Sequence, residues 1–231
     1  GSGIGRATAT TIAAAGATVV CADIDEDNAR ATAEAIVAAG GRARAVRCDV
    51  TAREQIDALV DDAVAEHGRI DIMGNIAGVP HNRMVAEVSD EEFERILAIN
   101  MKSVFYGCQA AIRHMVPQGS GSIINISSGA IDTPAPTLAC YAMTKAAVAM
   151  LTKTLATEVG PAGIRVNAIA PGVIHTNFSR HNYVDEEGNE VPERVEKYKQ
   201  RFGSMAPLRR VGEAQDVADS ILFLCSRSEE H

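Results

Sequence analysis

Apolar positions along the chain fall into two alternating rhythms. Short runs rich in apolar residues, Thr18-Val-Val-Cys-Ala22, Arg44-Ala-Val-Arg-Cys48, Ile70-Asp-Ile-Met73, Ile123-Ile-Asn-Ile126 and Ile164-Arg-Val-Asn-Ala-Ile-Ala170, have the length and β-branched content of buried strands. Between them the apolar spacing changes to three or four. It does so in the alanine-rich Arg6 to Ala15, in the segment from Asp25 to Gly40-Gly41, and at Ile56, Leu59, Val60, Ala63 and Val64. It recurs at Phe93, Ile96, Leu97, Met101 and Val104, and from Glu213 to Cys225. These are helical stripes, and Thr51-x-x-Glu54 and Ser89-x-x-Glu92 read as capping boxes that start two of them. Strand and helix alternating over the whole length require a parallel, doubly wound α/β sheet with ligands at the carboxyl ends of its strands.

Length and charge narrow the picture. With 231 residues, 46% of them apolar, residues 1–231 suit one domain. The stretch 177–207 turns polar and charged, with Asp185-Glu-Glu-Gly188 as a turn, and is expected to be a lid beside the site. A net charge of -8 with scattered Lys and Arg argues against a nucleic-acid partner. No apolar run approaches the ~20 residues of a membrane span and no signal-peptide pattern opens the chain, so a soluble, cytoplasmic protein is expected. The five cysteines, without a C-x-x-C pair, read as core residues in a reducing compartment. The histidines have no metal-ligand spacing, so no metal is expected. Asp23, Asp25, Asp27 and Glu34 mimic the acidic positions of a calcium loop, but Asn28 stands where its sharp bend needs glycine. Acidic residues opening a helix have an ordinary dipole explanation.

Chemistry enters at the strand ends. Gly1-Ser2-Gly3-Ile4-Gly5 feeds a helix, a turn whose N–H groups can approach a phosphate without Cβ obstruction. Asp23 follows by about the ~20 residues expected of a carboxylate on an adenosine ribose. A carboxylate there repels a 2'-phosphate and no neighbouring cation would attract one, so NAD is preferred over NADP. Asn75-Ile-Ala77-Gly78 ends a strand, where glycine suits either a ligand or a simple turn. Asn100 interrupts an apolar stripe, so its amide either bonds backbone or holds water. The strand Ile123 to Ile126 delivers the hydroxyls of Ser127 and Ser128, and Pro171-Gly172 turns after the last strand. Tyr141 and Lys145 stand four apart on a helix, where an ammonium can lower a phenol's pKa from ~10 toward a useful range.

Together Gly1-Ser-Gly-Ile-Gly5, Asp49-Val50, Asn75-Ile-Ala-Gly78, Asn100, Ser128, Tyr141-x-x-x-Lys145 and Pro171-Gly172 through Thr176 resemble the short-chain dehydrogenase/reductase family over nearly the whole chain. The resemblance implies a Rossmann-type domain and hydride transfer between NAD(H) and a secondary alcohol or ketone. Tyr141 is then the general base in oxidation or acid in reduction, and Lys145 lowers its pKa and binds the nicotinamide ribose. Ser128 orients the substrate oxygen and is preferred to Ser127 because it precedes the tyrosine by the family's thirteen positions. Asn100 holds a water of the proton relay, Asp49 meets adenine, and Ile174 and Thr176 face the carboxamide. A homotetramer built partly on the helices 89–115 and 138–159 is also implied. Ile76 replaces the second asparagine of the usual Asn-Asn-Ala-Gly. The family's first strand with the opening glycine of Thr-Gly-x-x-x-Gly-x-Gly is missing, as is its last strand, so the chain is expected to be a trimmed part of a longer one. Two other readings stand beside this one: an NADPH-dependent beta-ketoacyl carrier-protein reductase, and a non-catalytic dinucleotide-sensing scaffold.

Overall fold

The computed structural model describes residues 1–185 and 187–226, and Glu186 of the expected turn lies outside them. The order of elements is α1 (Gly3–Ala14), β1 (Thr18–Asp23), α2 (Glu26–Ala38), β2 (Arg42–Arg47), α3 (Arg53–His67) and β3 (Ile72–Asn75). There follow α4 (Asp90–Leu97), α5 (Ser103–Gln118), β4 (Gly121–Ile126), α6 (Ala139–Val159) and β5 (Ile164–Ile169). The short β6 (Ile174–His175), α7 (Pro192–Gly203), β7 (Gly212–Glu213) and α8 (Ala214–Cys225) complete the order. Every strand pair is parallel, and the fold is the Rossmann-type α/β arrangement the alternation demands.

The two faces of β4 show how the layers form. Successive side chains of a strand point to opposite faces. Ile123 packs with Val104, Cys108, Met115 and Val148 of α5 and α6, while Ile124 and Ile126 pack with Val217 and Ile221 of α8 and with Ile4 and Ile12 of α1. Both faces are covered by helices, which is why the run is apolar almost throughout. β4 lies between β3 and β5, whereas β1 pairs with β2 in a second parallel block, and among the described residues β1 and β3 are not paired. Ala22 of β1 and Met73 of β3 nevertheless share one apolar cluster with Cys48, Ile56 and Val60.

Two local expectations change. The box at Ser89 forms, its hydroxyl accepting from Glu92 N while Glu92 accepts from Ser89 N. That at Thr51 does not: α3 begins one residue later behind Ala52, because Asp49 takes the Thr51 hydroxyl and N–H instead. The helix expected from Ser89 is interrupted by a π turn over Ala98–Lys102. Asp25, one of the calcium-like residues, caps α2 by accepting from the N–H groups of Asp27 and Asn28.

Candidate active site

The carboxyl ends of β1, β2, β3, β4 and β5 carry Asp23, Asp49, Asn75, Ser128 and Pro171 respectively, at the strands or just beyond them. At the end of β4 the chain is stitched to α6 in both directions. Lys145 Nζ donates to Ile126 O at 2.9 Å, and Ser127 Oγ donates to Lys145 O at 2.9 Å. Ser127 is buried and spent on this tie, while Ser128 is half-buried with its Oγ accepting only a 3.2 Å bond from Ala130 N. The second serine therefore keeps part of its surface exposed. Its hydroxyl is placed to favour the ionised form of the Tyr141 phenol. Lys145 Nζ lies 5.8 Å from the Tyr141 ring centroid.

Electrostatics differ from the sequence expectation. Lys145 is 3% exposed, and burial draws its ammonium down to about 8. The Tyr141 phenol is raised rather than lowered: burial is the main cause, and the Ser128 hydroxyl opposes it. The ammonium is engaged by the Ile126 carbonyl and lies 5.8 Å from the ring centroid, and desolvation is the larger influence on the phenol.

Asn100 lies inside the π turn, fully buried. Its Oδ1 accepts from Val79 N and its Nδ2 donates to Val79 O, both at 2.9 Å. The side chain is thus bonded to backbone, the first of the two possibilities. Gly78 sits between these groups: a Cβ there would come within 3.3 Å of Asn100 Oδ1 and 3.5 Å of Lys145 Nζ. Asn75 is different. Its side chain turns inward, donating to Asn125 Oδ1 at 2.9 Å, and Asn125 in turn donates to Thr152. Only its backbone, with that of Ala77, remains for a ligand. Ile76, in place of the usual asparagine, packs with Ile124 and Ile126.

The cofactor-side residues form two groups. In the first, Gly3, with φ +50, would place a Cβ 3.4 Å from Thr176, so the turn Ser2-Gly3-Ile4-Gly5 abuts the segment Pro171 to Thr176. Pro171 is in turn tied to the serine loop, its carbonyl accepting from Gly129 N at 2.9 Å, and Gly172 and Ile174 follow it into β6. Ser2 stands at the N-cap of α1 without a side-chain cap bond, which leaves first-turn N–H groups for an anion. Asp23 lies at the same turn, 3.0 Å from the Gly1 nitrogen, and accepts from Asp25 N. In the second, at the end of β2, Asp49 is held in its ionised form below the usual carboxylate range by the two Thr51 hydrogen bonds, and Val50 packs into the apolar cluster beside it.

One neighbour was not visible in the sequence. Phe178, in the 3-10 turn Asn177–Asn182, packs against Tyr141 with ring centroids 5.8 Å apart. Its only signal was an aromatic residue in an otherwise polar stretch.

Comparison with known proteins agrees with this geometry. Residues 1–230 match the family described as enoyl-(acyl carrier protein) reductase. The chain is 41% identical over 226 residues to 3beta-hydroxysteroid dehydrogenase 1 of Eggerthella lenta, covering 97% of this chain and 83% of that one. It is 36% identical over 230 residues to 7alpha-hydroxysteroid dehydrogenase of Escherichia coli K12, covering 98% and 84%. The 3-oxoacyl-[acyl-carrier-protein] reductase FabG of Thermotoga maritima is 36% identical over 227 residues, covering 97% and 87%. The chain belongs to the short-chain dehydrogenase/reductase family. As a short-chain dehydrogenase/reductase it is an oxidoreductase of a family that uses a nicotinamide dinucleotide. The glycine turn without a side-chain cap, and the glycine-lined space beside Lys145, fit such a group.

Proposed function

We propose that this chain transfers a hydride between NAD(H) and a secondary alcohol or ketone, within one domain whose residues 177–207 cover the substrate. The observation that carries the reading is the grouping of Ser128, Tyr141 and Lys145 at the end of β4, beside Gly78 and Asn100. Bound at the strand ends, the nicotinamide supplies the hydride acceptor or donor. The protein's own work concerns the proton and the substrate oxygen. Ser128 Oγ, beside the phenol, holds that oxygen. Tyr141 gives its proton to a carbonyl oxygen in reduction and, once ionised, takes one from a hydroxyl in oxidation. Lys145 reaches the nicotinamide ribose from its buried position, and its charge favours the phenolate. Asn100 shapes the widened turn whose backbone holds the relay water.

For the cofactor, the turn Ser2 to Gly5 takes the pyrophosphate and Asp23 takes the adenosine ribose. Asp49 and Val50 flank adenine, the backbone from Asn75 to Gly78 lines the ribose and nicotinamide, and Pro171, Gly172, Ile174 and Thr176 face the carboxamide. The choice of NAD rests on Asp23, whose carboxylate would stand against a 2'-phosphate. The alternative, an NADPH-dependent ketoacyl reductase, gains support from the Thermotoga maritima relative. Turnover with each cofactor separates them, and Asp23→Ala is expected to raise the NADP-to-NAD ratio of kcat/KM at least tenfold. A Tyr141→Phe variant is expected to lose 10²- to 10⁴-fold in kcat while binding cofactor as the parent does. Unchanged turnover would remove Tyr141 from the chemistry, and binding without turnover in the parent would favour a dinucleotide sensor. We assign the protein to the cytoplasm as a homotetramer, with exposed Phe105 and Val116 on α5 and Met143 and Met150 on α6 as support for the assembly.

A further inference from the structure

Phe178 is the exposed aromatic next to the phenol. Its ring is tilted 56° against that of Tyr141 at 5.8 Å, yet the residue remains 39% exposed. The same segment builds an aromatic cluster in which Tyr183 and Tyr198 are buried with Val211, and Phe178 takes no part in it. Its position is fixed by its neighbours. Ser179 is buried and its Oγ donates to Thr176 O at 2.9 Å, Ser179 N donates to the same carbonyl at 3.0 Å, and Tyr183 Oη donates to it at 3.1 Å. The backbone on both sides of Phe178 is therefore pinned, and its ring is offered to solvent at the edge of Tyr141 from a rigid turn.

We propose that Phe178 determines substrate specificity as an apolar wall, selecting alcohols and ketones whose reacting carbon carries a flat ring. This rests on the reading of Tyr141 as the acid or base. A substrate oxygen that reaches Tyr141 and Ser128 brings its carbon skeleton alongside the Phe178 ring. A planar apolar group there buries the exposed aromatic face and gains ring-to-ring contact, whereas a methyl group covers little of it. The turn needs no rearrangement to make this contact, so the gain is not offset by ordering a loop.

The test compares 1-phenylethanol with propan-2-ol, each with NAD and NADP, for the parent, Phe178→Ala and Phe178→Leu. The ratio of kcat/KM for the aromatic over the small alcohol is expected to fall at least tenfold in Phe178→Ala, mainly through KM, and less in Phe178→Leu. A ratio that stays constant while both activities fall would reduce Phe178 to a shield over Tyr141 and overturn the proposal, as would no change at all. If the parent oxidises neither alcohol, calorimetric titration with acetophenone in the presence of NAD decides the wall separately. At least tenfold weaker binding to Phe178→Ala supports it. Equal binding, or none to the parent, overturns it. Circular dichroism and melting temperature confirm that the variants fold.

Discussion

Lys145 is kept as a cation where its surroundings disfavour one. A lysine in an unfolded chain titrates near 10.4, while the buried ammonium gives up its proton at about 8. Between those values the unfolded chain binds a proton that the folded chain has released, so stability from this group rises with pH across the window, by about 3 kcal/mol in full. Lys145→Met lacks the titration. The melting temperature of the parent relative to the variant is therefore expected to climb by several degrees between about pH 7.5 and 10. A constant difference would mean the ammonium is not desolvated. Tyr141 gives the complementary prediction. With its phenol raised above the ordinary value, Tyr141 in the proposed reaction would be protonated for reduction at neutral pH, and kcat/KM for alcohol oxidation is expected to climb with pH through the neutral range and beyond. A profile already flat at pH 7 would require a much more acidic phenol. The four-residue spacing of Tyr141 and Lys145 was legible because helix geometry alone sets it. The direction of the phenol's shift was not, because it depends on what surrounds both groups and on the Ile126 carbonyl, 19 residues from Lys145.

At the scale of elements, the π turn and the loop after β3 behave as one unit. The Asn100 amide is the bond donor and acceptor for Val79, so Asn100→Leu leaves both backbone groups of Val79 unpaired. The expected cost is about 2 kcal/mol, a drop of roughly 4–8 °C in melting temperature, and an unchanged melting curve would show that water replaces the amide. The packing of α5 on β3 offers a sharper case. A Cβ on Gly107 would clash with Asn75 Oδ1, and moving Asn75 aside would break its bonds to Asn125 and Cys108. Gly107→Ala is expected to cost about 1–3 kcal/mol, read by denaturant unfolding, and a neutral result would mean the Asn75 to Asn125 network can shift. The capping box at Ser89 could be read from the residues, since its partners are three apart. The one at Thr51 misled because Asp49, two residues upstream, competes for the same donors.

For the molecule as a whole, the strand ends gather residues that the chain scatters over more than 170 positions, from Ser2 to Thr176. Contact between the glycine turn and Thr176, and between Pro171 and Gly129, closes that gathering. Exposed apolar side chains on α5 and α6 leave faces suited to assembly, and sedimentation velocity is expected to give a species near four times 24.4 kDa. A monomer at micromolar concentration would set the tetramer aside. The alternation of strands and helices was legible because a parallel sheet covered on both faces requires apolar runs separated by helical stripes.

The sequence by itself determined the layered fold and the four-residue spacing of Tyr141 and Lys145 on one helix, because these follow from apolar runs alternating with 3.6-residue stripes, while Ser128 was named by the family resemblance. Only the tertiary structure decided that Ser127 is a tie while Ser128 stays partly exposed, that Asn75 turns into the core, that Asn100 is spent on Val79, and that Phe178 packs against Tyr141. Each of these depends on contacts between residues that chain spacing does not relate, where burial and competition for hydrogen bonds fix which way a side chain turns.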